Sequence, residues 1–251
     1  KYFDKSSDYY ETNLTDTERR IAYNYEMQMC RIGKINGVNY QDSLFRGIEV
    51  DGNSVDTDKI QFERSLVNAQ ISNIIKQAGV DESAITQDCT FTVDPYSYEI
   101  TVECVDEETK MRMQNALNVG DNGKNLYKHI YYCSTQDGCE STQITKESKM
   151  KYEAYHQVYS YTGYELDKLE EKNGTYYTES GADILDLVNH AVEDTGKVPK
   201  EYKQQMKNWI HDLVSTMSVK GWNNVSDMTL SILYGKSGLK DMNQLITYQY
   251  E

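Results

Sequence analysis

Proline is nearly absent from this chain of 251 residues, with 2 in all, and no Pro-, Gly- or Ser-rich run interrupts it. A flexible linker is thereby excluded, and any domain boundary has to be a short connection between packed elements. Long apolar runs are missing too: none approaches the roughly 20 residues that a spanning helix requires, so no membrane insertion is expected. Basic residues are outnumbered, 26 Lys and Arg against 40 Asp and Glu, for a formal charge of -14. Such a surface repels phosphate backbones and anionic headgroups, so nucleic acid is not expected as a partner and a membrane surface is a poor one.

Catalytic signatures are also lacking. There is no HExxH and no paired CxxC, and "GKS" at Gly235 to Ser237 has no upstream glycine, since position 230 is Leu, so it reads as a turn. No G-x-S-x-G elbow presents a nucleophile. The four histidines, His129, His156, His190 and His211, are dispersed, and each reads as a packed or surface side chain. The spacing His129, Cys133, Cys139 offers three possible zinc ligands but not the paired clusters of zinc sites. "DGNSVDTD" supplies oxygens at Asp51, Asn53, Asp56 and Asp58, yet its glycine falls at the second place of a calcium loop and Phe62 at the twelfth. A solvated acidic turn is the better reading, and neither metal nor cofactor is expected.

What is present is enough to fold. Hydrophobic residues make up 38% of the chain, 22 of them tyrosines, too apolar a composition for a disordered segment. Thr15 and Glu18 form a capping box before Ile21, Tyr25 and Met29, which predicts a helix over 14–31. Residues 33–54, with Asn36-Gly37 and Asp51-Gly52, suggest turns and short strands. A second helix is predicted over 58–78, its face of Phe62, Leu66, Val67, Ile71, Ile74 and Ile75 wide enough to lie on a sheet, with Gly79 as its cap.

The stretch "CTFTVDPYSYEITVECVDEE" supplies strands for that sheet. Cys89, Phe91 and Val93, then Tyr98, Ile100, Val102 and Cys104, alternate with polar residues, as in a half-buried hairpin. A loop of two or four residues pairs Val93 with Ile100, Phe91 with Val102 and Cys89 with Cys104. Asp106, Glu107 and Glu108 then open a helix reaching about Asn118. "LYKHIYYCS" fits a strand and a helix equally. Further helices are predicted over 145–161, 180–194 and 199–220, with a hairpin turn at Asn173-Gly174 and a strand and turn in "DMTLSILYGKSG". The fold class is α+β: antiparallel hairpins against long amphipathic helices, with a mostly helical C-terminal half. A weak composition shift near residue 140 suggests two subdomains, 1–140 and 141–251, the alternative being a single domain.

Cys89 and Cys104 can form a cross-strand disulfide in an oxidising compartment, although two reduced thiols packed as small hydrophobes is the favoured reading. Cys133 and Cys139 flank a polar loop that a disulfide can close, and Cys30 reads as core. On the predicted helix over 145–161, Tyr152, Tyr155 and Tyr159 share a stripe with His156 beside it, a candidate contact surface, ordinary amphipathic packing being the commoner meaning of such a stripe. Tyr96 and Tyr98 sit at a turn that Pro95 shapes without any ligand. The triplets at Asn13, Asn173 and Asn224 are no more frequent than chance supplies. Lys1 in place of an initiator Met predicts that something upstream has been removed, and the balance leans towards a secreted or envelope-associated location.

Several strings taken together, "ERRIAYNYEMQM", "GKINGVNYQDSLFRGI", "FTVDPYSYEITVE", "LNVGDNGKNLYKHIYYCS" and "KGWNNVSDMTLSI", resemble an uncharacterised family of Gram-positive (Firmicutes) bacterial proteins described only as a domain of unknown function. The resemblance covers nearly the whole chain and brings no activity, cofactor or catalytic residue with it. The sequence therefore favours a non-catalytic binding or scaffolding protein whose partner is a protein or a cell-envelope component. The rival is a hydrolase of glycans or peptides working from a cleft between the two halves, and a third reading is a calcium-dependent adhesive module using Asp51 to Asp58.

Overall fold

Two units make up the computed structural model, residues 1–143 with 229–251, and residues 144–228. The structure describes residues 14–31, 57–135, 142–194 and 198–242, with positions 2, 3, 5, 6, 10 and 196 besides. Among these residues the fold is α+β. The turns expected over 33–54 and the candidate calcium ligands Asp51, Asn53 and Asp56 lie outside the described residues, as do Cys139 and the side chain of Cys30.

The first unit holds α1 (Asp16–Arg31), α2 (Thr57–Gln77), β1 (Cys89–Val93), β2 (Ile100–Glu103), α3 (Glu107–Leu117) and α4 (Asn122–Thr135). The chain returns to it after the second unit as β5 (Leu230–Gly235) and β6 (Gly238–Asp241). The four strands form one antiparallel sheet in the order β2-β1-β5-β6. The closing strands were placed by composition in the C-terminal half; their pairing with β1 assigns them to the first unit instead. Val93 pairs with Ile100 and Phe91 with Val102, the register that alternation and an even loop predict.

Strand alternation sets the core. Cys89, Phe91, Val93, Ile100, Val102, Leu230, Ile232 and Tyr234 are buried, and Phe91 stacks on Tyr234 with ring centroids 5.3 Å apart. Out-of-phase residues are polar, as where Thr92 and Ser231 share a hydrogen bond of 2.9 Å. Helix α2 contributes Val67, Ile71, Ile74 and Ile75 to the interior, but its buried surface is not wholly apolar, because Arg64 lies there as well. "LYKHIYYCS" is helical: within α4, Leu126, Tyr127, Ile130 and Cys133 are buried at a spacing that only a helix brings to one side.

Side-chain amides finish the strands where no neighbouring strand continues the ladder. On outer strand β2, Asn118 accepts from the Ile100 N–H at 2.7 Å and donates to its carbonyl at 2.8 Å, while Gln114 accepts from the Val102 N–H at 3.0 Å. At the opposite edge Asn68 of α2 accepts from the Leu239 N–H at 2.9 Å. Gln143 exchanges both kinds of bond with Ser231, 2.6 Å from its N–H and 3.0 Å to its carbonyl. An open edge would leave those groups bare to other chains.

The second unit comprises α5 (Lys146–Thr162), a hairpin of β3 (Glu170–Lys172) and β4 (Thr175–Tyr177), α6 (Ile184–Asp194) and α7 (Lys203–Lys220). Thr145 and Ser148 close a capping box on α5, and Gly163, at φ 75°, ends it in the left-handed conformation that glycine adopts without strain. The three helices pack on one another around Ala154, Val158, Val188, Val192, Ile210, Val214 and Met217.

Candidate functional site

In the second unit the α5 stripe turns out to be graded in depth. Tyr155 is 7% exposed and belongs to the core, so its placement on an open contact surface is corrected, whereas Tyr159, one turn on, is 50% exposed. Their rings are stacked, nearly parallel at 8° with centroids 6.3 Å apart, so the inner ring supports the outer one. Tyr152 and His156 are half-buried, with ring centroids 4.3 Å apart, and His156 also meets Tyr155 edge-on at 5.2 Å. Four rings thus form one continuous aromatic ledge along the helix.

Behind the ledge stands a support that spacing along α5 alone does not disclose. The Trp222 ring lies 6.4 Å from Tyr155, and Lys151 places its ammonium 4.7 Å from the Trp222 ring centre. Lys151 is itself buried, donating to the Val225 carbonyl at 2.7 Å and pairing with Asp227 at 2.8 Å. A desolvated ammonium is tolerable there because an anion, a carbonyl and an aromatic face all receive it. "KGWNNVSD", which supplies Trp222, Val225 and Asp227, is therefore the back wall of the ledge.

In the first unit the structure brings together a second group of chemistry-bearing residues. Arg64 of α2 is fully buried, pairs with Asp241 of β6 at 2.5 Å, and donates from Nε to Nε2 of His129 on α4 at 2.9 Å. Cys133, one turn further along α4, lies with Sγ 3.8 Å from the same Nε2. Since Nε2 accepts from the guanidinium, the imidazole is neutral and carries its proton on Nδ1. Burial, reinforced by the positive charge of Arg64, holds His129 well below the usual histidine range. Nδ1 has no partner among the described residues. A Cys–His pair is present, but with its acceptor nitrogen engaged by Arg64 and both residues buried, the contact joins elements rather than activating a nucleophile. Neither Arg64 nor Asp241 is detectable from sequence, because a lone Arg on a helix ordinarily reads as surface.

The cysteines resolve differently from expectation. Cys89 and Cys104 are joined in a disulfide with Cα atoms 4.6 Å apart at the open end of the β1–β2 hairpin, and are not the two reduced thiols that the sequence favours. Cys104 Sγ also lies 3.9 Å from Sδ of Met113 on α3. Cys133 is a buried thiol.

The hairpin tip is occupied by its own structure. Asp94 accepts from the backbone N–H of Tyr96 at 2.9 Å and of Ser97 at 2.7 Å, and Tyr98 takes a left-handed φ of 60°. The Tyr98 ring packs edge-on against Tyr127, 5.4 Å away, and its carbonyl lies where a Cβ on Gly123 would be, at 1.8 Å, so only glycine fits there. A polar cleft of about 400 Å³ beside this contact is lined by Ser97, Glu99, Asn118, Asp121 and Lys124 among others. Asn118 is already committed to β2.

Among the described residues no group of three or more His, Cys, Asp or Glu side chains is placed to hold a metal ion, and no helix is long and apolar enough to cross a membrane. No solved structure matches the chain. It is 29% identical over 249 residues to the uncharacterized protein YbdO of Bacillus subtilis (strain 168), an alignment covering 99% of this chain and 62% of that protein's length. A family model described as "Domain of unknown function (DUF4885)" matches residues 1–250, and the chain belongs to that family.

Proposed function

We propose that the chain is a non-catalytic binding protein whose contact surface is the outer rim of the α5 ledge, Tyr152, His156 and Tyr159, and whose partner is a component of the Gram-positive cell envelope. The observation that carries this is the pairing of a half-exposed Tyr159 with a buried Tyr155 in a parallel stack. A tyrosine held this way offers a broad apolar face and a hydroxyl tip with little rotamer freedom left to lose on binding. Rings of this kind suit the apolar faces of sugars and peptides alike. The Cys89–Cys104 disulfide supports a location outside the reducing cytosol, where such bonds persist.

Co-sedimentation with purified Gram-positive sacculi tests the proposal. The wild-type chain should pellet with them saturably, and His156→Ala and Tyr159→Ala should lower affinity several-fold while the melting temperature stays within about 2 °C, since both rings lie at the rim. Failure of the wild-type chain to pellet, or equal pelleting by both variants, contradicts it.

A further inference from the structure

The buried cluster of the first unit joins three elements that are distant in sequence: α2 through Arg64, α4 through His129 and β6 through Asp241. Its geometry depends on one protonation state. Arg64 donates to Nε2 at 2.9 Å, which requires a lone pair on that nitrogen. A proton on Nε2 would set N–H against N–H and one positive charge beside another in a buried site.

We propose that the Arg64–His129–Asp241 cluster is an acid-sensitive latch: protonation of His129 ends its acceptance from Arg64 and opens the tie between α2, α4 and β6. Among the described residues, the groups facing His129 come from three elements. Arg64 comes from α2 with Asp241 of β6 behind it, and Cys133 lies on α4 itself. Of the strands on which α4 rests, β1 carries only the bonded Cys89 at an inward position, and β5 carries Tyr234, whose hydroxyl donates to Glu82. Asp241 is the one described anion in the group and is engaged by Arg64, leaving no described carboxylate in contact with the imidazole to favour its charged form.

The direction of the effect follows from proton linkage. With the folded histidine held low and an unfolded histidine near about 6.5, the unfolded chain binds the extra proton between these values. The contribution of His129 is thus complete above about pH 6.5 and is lost as pH falls, at up to about tenfold in the folding equilibrium per pH unit. Carboxylates as a class titrate lower, so the interval from pH 6.5 to 5 reports on histidines, and comparison with a His129 variant separates His129 from the other three.

Amide hydrogen exchange at pH 7 and pH 5, corrected for the intrinsic rate, provides the test. The wild-type chain should lose roughly tenfold or more of its protection in α2, α4 and β6 on acidification, and His129→Gln, which can still accept from Arg64 but cannot titrate, should not. An equal loss in His129→Gln, or no loss in the wild type, overturns the proposal. Should His129→Gln fail to fold, the His129 ring proton resonance of the wild type decides: it is expected to hold its neutral shift while the fold persists, and titration near about pH 6.5 in the folded chain overturns the latch.

Discussion

Tyr155 and Tyr159 lie one helical turn apart and differ in what they touch. Tyr155 packs against Tyr159 and Trp222 in the interior, so Tyr155→Ala should cost about 3 kcal/mol, within the range for deleting a buried aromatic ring. Tyr159→Ala, at a half-exposed site, should cost about 1 kcal/mol or less. Urea unfolding of the two variants measures the contrast. Helical periodicity predicts that both residues share a stripe, but it does not tell which lies inside, because the depth of Tyr155 is set by Trp222, 67 positions along the sequence. Arg64 shows the same limit: its burial is decided by Asp241 and His129, neither of which is near it in the chain.

Among the elements, the β1–β2 hairpin was the most legible, since a period of two, an even loop and Pro95 all point to one register. Helix α4 was not legible, because the aromatic and β-branched residues of "LYKHIYYCS" suit a strand as well, and its helical state follows from burying Leu126, Ile130 and Cys133 together. Equally hidden were the amides that finish the sheet edges, polar side chains whose partners are backbone groups elsewhere. Asn118 serves both backbone groups of one residue of the outer strand, with one bond to the Ile100 N–H and one to its carbonyl. Asn118→Ala should therefore cost about 1–3 kcal/mol by leaving both groups unsatisfied. Asn118→Asp, which keeps the acceptor but sets a carboxylate oxygen against the Ile100 carbonyl, should cost at least as much. Chemical denaturation of both variants checks the order.

At the scale of the molecule, the sheet of the first unit is assembled from chain segments on either side of the second unit, a topology that a left-to-right reading of composition cannot reveal. The return of the chain at β5 carries no compositional signal. The Cys89–Cys104 bond staples the hairpin across a sequence separation of 15, for which the chain-entropy account gives about 3 kcal/mol. The urea midpoint should fall accordingly on reduction, and an unchanged midpoint would mean that hairpin packing alone fixes this end of the sheet. An overall charge of -14 disfavours association with polyanions.

The most direct measurement is a pair of readings on one double variant, Tyr152→Ala with Tyr159→Ala: its binding isotherm on purified sacculi and its thermal melt. The account predicts binding at least tenfold weaker than wild type, or about 1.4 kcal/mol, with a near-native melt. Binding that survives the loss of both rings, or a collapse of the fold when they are removed, would contradict it.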